Sequence, residues 1–292
     1  MKKIVLLLLL FILVILACAA WVFLGPATKF ETSKKTLYIR TNAANKEAVI
    51  DSLIKNKIVG NGTAFNFLAG QMNYWKNIKP GKYEIAKGTS LFNLVRMLHN
   101  GRQAPVNFTI IKIRTKEDLA RMSGNKFEFD SLQMMSFLNN EDSLKKYNTD
   151  TSAALSLIIP DTYTFFWNTT PSQVYQKFSD RSKRFWNAER KKQAEDHGLT
   201  PVKAYILASI IEEESNNNGE KGNIASVYLN RMEKGMPLQA DPTIKFALHD
   251  FALRRIYEKY LFVASPYNTY RNKGLPPGPI CTPSPKTIDA VL

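Results

Sequence analysis

An uninterrupted run of 21 apolar residues, Ile4 to Leu24, follows Met1-Lys2-Lys3. As a helix it would cross a hydrocarbon core of about 30 Å. It is longer than the roughly 7–15 apolar residues of a cleaved signal peptide. Leu16-Ala17-Cys18 has the outline of a lipoprotein cleavage site, but Leu16 is bulky for its place and Ala19 to Leu24 stay apolar past the cysteine. Residues 1–25 therefore read as a retained, single-pass transmembrane anchor. Lys2 and Lys3 favour a cytoplasmic N-terminus, with everything after Gly25-Pro26 on the far side of the membrane. Lys29, Lys34, Lys35 and Arg40 weaken that asymmetry without reversing it.

The rest of the chain must fold in water. With 45% hydrophobic and 22% charged residues, it is neither disordered nor collagen-like. A length of 292 residues suggests two domains of about 100–200 residues each. The two cysteines, Cys18 and Cys281, exclude a disulfide-stapled scaffold. His99, His197 and His249 have no close Cys/His spacing, so no structural zinc is expected. The net charge of +15 is uneven: residues 1–105 carry 15 Lys/Arg against 4 Asp/Glu, a net of +11. Nucleic acid, an anionic membrane surface or an acidic polymer could each answer such a charge, and so could plain solvation. Export makes nucleic acid the poorest of these.

Residues 33–105 carry a β-α-α-β-α pattern. Leu37-Tyr38-Ile39-Arg40 favours a strand, Asn45 caps a helix bearing Val49 and Leu53, and Phe65, Phe67 and Leu68 mark a second helix. Tyr83 and Ile85 alternate as in a strand. Thr89 or Ser90 then caps a helix with Leu91, Leu94, Val95 and Leu98 on one face, stopped by Gly101. From Val106 the pattern continues with a strand to about Ile113, helices over 116–122 and 129–138, a long basic amphipathic helix from Thr170-Pro171 to about His197-Gly198, and another helix opened by Thr200-Pro201. The fold class is α+β: an anchor, a small module over 33–105 and a helix-rich mixed domain over 106–292.

The chemistry is expected at the end of the last of these helices. Val202 to Ile211 is apolar almost all round, which implies burial, and it runs into Glu212-Glu213-Glu214-Ser215. Carboxylates at a helix C-terminus oppose the macrodipole, and apolar surroundings would raise the pKa of at least one of them, as a general acid requires. Spacing alone also allows three solvated glutamates at a frayed end. Downstream, Leu238-Gln239-Ala240-Asp241-Pro242-Thr243 reads as a turn entering a helix. Ser265-Pro266-Tyr267-Asn268-Thr269-Tyr270 offers aromatic rings and an amide suited to sugar, and Gly274 to Pro279 forms a rigid loop.

The segments Ala208 to Ser215, Ser226 to Arg231, Leu238 to Thr243, Tyr267 to Tyr270 and Gly274 to Ile280, in that order, resemble the MltG (YceG-like) family of endolytic murein transglycosylases. Pro160-Asp161-Thr162-Tyr163 resembles a further family segment, and residues 33–105 resemble its LysM-like module. The resemblance implies that Glu212 is the catalytic acid, with Glu214, Asn230, Gln239, Asp241, Tyr267, Asn268 and Tyr270 supporting it or binding substrate. It implies cleavage of the MurNAc-GlcNAc β-1,4 bond within peptidoglycan to leave 1,6-anhydro-MurNAc ends, without metal or cofactor. The expected setting is the outer face of a bacterial cytoplasmic membrane, with glycan strands and cell-wall synthesis proteins as partners. Two rivals are a hydrolytic glycosidase pairing Glu212 with Asp241 and a non-catalytic glycan-binding scaffold. Family members run several dozen residues past the segment matching Thr282 to Pro285, so an incomplete C-terminal domain is also expected.

Overall fold

The computed structural model describes residues 2–28 and 30–292; Met1 and Lys29, together with the side chains of Lys2 and Ala19, lie outside the described residues. Two compact units result. One runs to Val106 and includes Phe166–Asn168, and the other comprises Asn107–Phe165 and Thr169–Leu292. No periodicity in the sequence signals that residues 166–168 belong with the first unit.

In the first unit, α1 (Lys2–Leu24) is a single helix whose apolar side chains are mostly exposed. By length and composition it can cross a membrane. It is followed by β1 (Lys34–Ile39), α2 (Lys46–Lys55), α3 (Gly62–Gln71), β2 (Gly81–Ala86) and α4 (Leu91–Asn100). Strands β1 and β2 pair antiparallel with Leu37 opposite Tyr83. Alternation along a strand puts Leu37, Ile39, Tyr83 and Ile85 on one face, where they are buried with Leu53, Phe65, Leu94 and Val95. Asn45 caps α2 by accepting from the Ala48 N–H at 2.9 Å. Ser90, not Thr89, caps α4, and Gly101 ends it with φ +67°. The stretch after α1 is not a free tether, because Pro26 bridges Ser90 and the Ala27 N–H donates to the Thr89 carbonyl at 3.1 Å.

The second unit contains all but the first residue of β3 (Val106–Ile110), then α5 (Lys116–Gly124), α6 (Ser131–Leu138), α7 (Glu141–Lys145), β4 (Asp161–Phe165), α8 (Pro171–Phe185), α9 (Ala188–Asp196), α10 (Pro201–Glu214), α11 (Lys221–Glu233), α12 (Asp241–Ala247) and α13 (Pro285–Asp289). Strands β3 and β4 form a second two-stranded sheet. The single long helix expected over 170–198 is two helices. Trp186 leaves helical backbone at ψ 67° and Asn187 caps α9 through the Arg190 N–H. The break has a packing cause. Phe185 and Trp186 are both buried and meet edge to face at 5.4 Å, whereas consecutive residues of an unbroken helix would point about 100° apart.

Helix α10 is the centre of this unit, with Ala204 to Ile211 all buried. Mid-helix Ser209 is fully buried and bonded twice: its Oγ donates to the Ile206 carbonyl at 2.6 Å and accepts the Ile280 N–H at 3.0 Å. That second bond ties the Gly274–Pro279 loop's exit to α10. Gly278 sits so close to the chain that a Cβ there would lie 2.0 Å from the Ser152 carbonyl oxygen. Ser209→Ala would leave the buried Ile280 N–H unpaired, a loss of about 1–3 kcal/mol. A lowered urea midpoint with an unchanged denaturant slope is the expected result.

Candidate active site

The last turn of α10 carries Glu212, Glu213 and Glu214 side by side. Neighbouring helical residues point about 100° apart, so each carboxyl meets different surroundings. Glu212 Oε2 accepts from the Lys221 ammonium at 3.0 Å, from the Ser284 hydroxyl at 3.2 Å and from the Thr287 hydroxyl. Lys221 also donates to Thr287 Oγ1 at 2.7 Å and is itself only 4% exposed. Partial burial would raise the Glu212 pKa, but the bonds from Thr287 and Lys221 outweigh it and hold the carboxyl below its ordinary value. Glu213 turns toward Arg114, whose Nε and Nη2 lie 3.2 and 2.8 Å from Oε2, and toward Lys112 at 3.1 Å. Its pKa is also lowered, against the opposing effect of burial.

Glu214 behaves differently. The residue as a whole is exposed, yet desolvation of its carboxyl, followed by the like charge of Asp241, raises its pKa. Tyr228 Oη donates to it at 3.4 Å. The upward shift expected of at least one carboxyl therefore falls on Glu214, while hydrogen bonds from Thr287 and Lys221 lower Glu212 and those from Arg114 and Lys112 lower Glu213.

Two segments assemble these partners. The Ile113 N–H donates to Thr282 Oγ1 at 3.0 Å and the Thr282 N–H donates to the Ile113 carbonyl at 2.8 Å. This reciprocal pair brings Lys112 and Arg114 to Glu213 on one side and Ser284 and Thr287 to Glu212 on the other. The turn between α10 and α11 is folded on Glu220, which accepts from Ser215 Oγ at 2.8 Å and Asn217 Nδ2 at 2.9 Å. The turn thereby returns Lys221 to the end of α10. A cavity of about 110 Å³ beside Glu213 is lined by Arg114, Lys245, Phe246 and Phe251.

The remaining sequence candidates divide. Tyr270 Oη donates to Asp241 Oδ1 at 2.6 Å. The Asp241 charge also helps to raise the pKa of Glu214. Gln239 is exposed with φ +54°, a left-handed conformation uncommon outside glycine and asparagine. It is held by its N–H bond to the Thr269 carbonyl at 3.1 Å. Asn268 is fully buried and its amide is committed, donating to the Leu261 and Val263 carbonyls at 2.9 Å each and accepting from the Tyr270 N–H. Tyr267 packs on Phe246 with ring centres 4.6 Å apart. Asn230 lies elsewhere, in an open groove of about 590 Å³ lined also by Asp196, His197, Ser226 and Glu233.

Lys112, Arg114, Lys221, Ser284 and Thr287 were not foreseen. Of these, only Lys221 left a trace in the sequence, as a cation in the first turn of a helix, where the dipole disfavours it. Because Glu212 and Glu213 have folded pKa values below their unfolded ones, they stabilise the fold above the ordinary carboxylate range. That contribution is lost as pH falls through the folded values. Acidification should therefore lower the urea midpoint, and Arg114→Met should be less stable at neutral pH with a shallower acid decline. An acid decline as steep as the wild type's would show that the Arg114–Glu213 pair contributes nothing to it.

Comparison with known proteins agrees with this architecture. A curated endolytic murein transglycosylase of Bacillus subtilis is 27% identical over 276 residues, covering 89% of this chain and 76% of that protein. One from Streptococcus pneumoniae is 27% identical over 282 residues, covering 85% of this chain and 50% of that protein. The crystal structure of a yceG-like protein from Listeria monocytogenes superposes with a TM-score of 0.56 at 25% identity, covering 89% of this chain and 90% of that one. The YceG-like family model matches residues 37–292, which include Glu212, Glu213, Glu214 and Asp241 with the residues that bond them, and the chain belongs to the YceG-like family.

Proposed function

We propose that this protein is an endolytic lytic transglycosylase that cleaves the MurNAc-GlcNAc β-1,4 bond of peptidoglycan, with Glu212 as its catalytic group. One observation carries this: Glu212, within the region matched by the YceG-like family model, is in the last turn of a buried helix with its carboxyl in a cradle of two hydroxyls and an ammonium. The protonated carboxyl would donate to the leaving glycosidic oxygen. The C6 hydroxyl of MurNAc would then attack the anomeric carbon and give its proton to the same carboxylate, closing a 1,6-anhydro ring without consuming water. One carboxyl serves both steps, unlike the paired carboxylates of most glycosidases. Since the cradle favours the ionised form, the active protonated form is more populated toward acid pH.

A second reading concerns the donor alone. Glu214 holds its proton more readily than Glu212, owing to desolvation and Asp241, and could supply the proton in its place. Glu212→Gln keeps size but removes the transferable proton and should cost about 10²–10⁴-fold in rate. Mass spectrometry of products from purified glycan strands reads the outcome, with anhydro ends expected from the wild type and reducing ends pointing to hydrolysis. A loss under tenfold for Glu212→Gln, with a large one for Glu214→Gln, would move the donor role to Glu214.

The finer setting is part of the same proposal. Helix α1 serves as a single-pass anchor in the cytoplasmic membrane, the second unit works outside it, and the first unit is a LysM-like glycan-binding module. Supporting this are the apolar length of α1 and the basic character of residues 1–105. Nascent strands near the membrane, and the proteins that synthesise them, are the partners this setting favours. Deleting residues 1–24 should release the protein into the aqueous phase of a detergent partition. Continued partition into detergent would rule out a single anchor.

A further inference from the structure

We infer that Lys221 is a positioning residue for the transglycosylase reaction: its buried ammonium, anchored on Thr287, orients the Glu212 carboxylate and balances its charge. This rests on the assignment of Glu212 above. Each member of the pair stands where its own helix penalises it. Glu212 lies in the last turn of α10, where the dipole disfavours anions, and Lys221 is the first residue of α11, where it disfavours cations. Lys221 is also almost fully buried, an environment that charged side chains occupy only when paired. Two misplaced ions that face each other at 3.0 Å relieve both penalties.

The geometry is more than a charge contact. Lys221 Nζ bridges Glu212 Oε2 and Thr287 Oγ1, while Thr287 and Ser284 hydrogen-bond each other at 2.9 Å and both reach the same carboxylate oxygen. The four groups come from α10, α11 and the start of α13, so the carboxyl is fixed from three elements. Every named donor converges on Oε2. Other groups facing this carboxyl add little competing positive charge. Glu213 on the same helix is paired with Lys112 and Arg114, Tyr205 and Cys281 are buried, and Glu220 at the start of α11 is turned to Ser215 and Asn217. Lys221 is therefore the cation that sets the charge balance at Glu212.

A merely structural lysine and a positioning lysine differ in one readout, the pH profile. An opposite charge at this range lowers a carboxyl pKa by about 1–3 units. In the detergent-solubilised full chain, Lys221→Met should therefore move the alkaline limb of kcat/KM on purified glycan strands upward by about 1–3 pH units. Lys221→Arg, which keeps the charge, should leave the limb within about half a unit, on the same scale. Thr287→Val, which removes both the anchor of Lys221 and a hydroxyl bonded to Glu212, should shift the limb in the same direction, and Lys221→Gln serves as the deciding variant if Lys221→Met does not fold. A limb that stays in place in Lys221→Met, or in Lys221→Gln in its stead, whatever the loss of rate, would overturn the inference. Wild-type turnover by Glu212→Gln would instead overturn the assignment of Glu212, an outcome distinct from an unmoved limb.

Discussion

A buried helix that ends on three consecutive carboxylates sets the terms for the rest of the second unit. The residues before them, Ala204 to Ile211, leave solvent entirely, so the acids emerge at the edge of the core and against the helix dipole. Each must find a separate partner set, because the helix fans the side chains about 100° apart. The structure answers with a hydroxyl-and-ammonium cradle for Glu212, an Arg–Lys fork for Glu213, and a tyrosine with a second carboxylate near Glu214.

Three identical side chains thereby acquire different protonation behaviour. The Thr287 hydroxyl and Lys221 lower the pKa of Glu212, Arg114 and Lys112 lower that of Glu213, and desolvation with the Asp241 charge raises that of Glu214. Pairs of titratable groups whose surroundings push their pKa values apart are a common basis for dividing acid and base roles. Here the division arises within one helical turn.

The supporting contacts depend on loops whose own bonds are internal. The Ile113–Thr282 pair sets two partner groups at once, and Ser209 links the same region to the middle of α10. Asn268 shows the other use of a polar residue in such a site: fully buried, it spends its amide on closing the 261–263 turn. Gln239, exposed and two residues before Asp241, has a left-handed backbone held by its bond to Thr269. Strain of that kind, held by surrounding bonds, is often found at functional sites.

Local chemistry made much of this protein legible from its residues. The apolar run of α1, the caps at Asn45, Thr170 and Thr200, the alternation in β1 and β2, and the stop at Gly101 depend on near neighbours, and each element formed close to where its pattern placed it. The buried character of α10 and its acidic end were equally plain. Long-range contact decided the rest. The break at Trp186 comes from the packing of two adjacent aromatic rings, and residues 166–168 join the first unit through contacts distant in sequence. Lys221 is nine residues from Glu212, Thr287 is 75 away, and Arg114 is 99 from Glu213. Sequence determined that three carboxyls would stand together; only the tertiary structure decided how readily each holds its proton, because the pKa of a carboxyl is set by groups within a few ångströms in space and not by its neighbours in the chain.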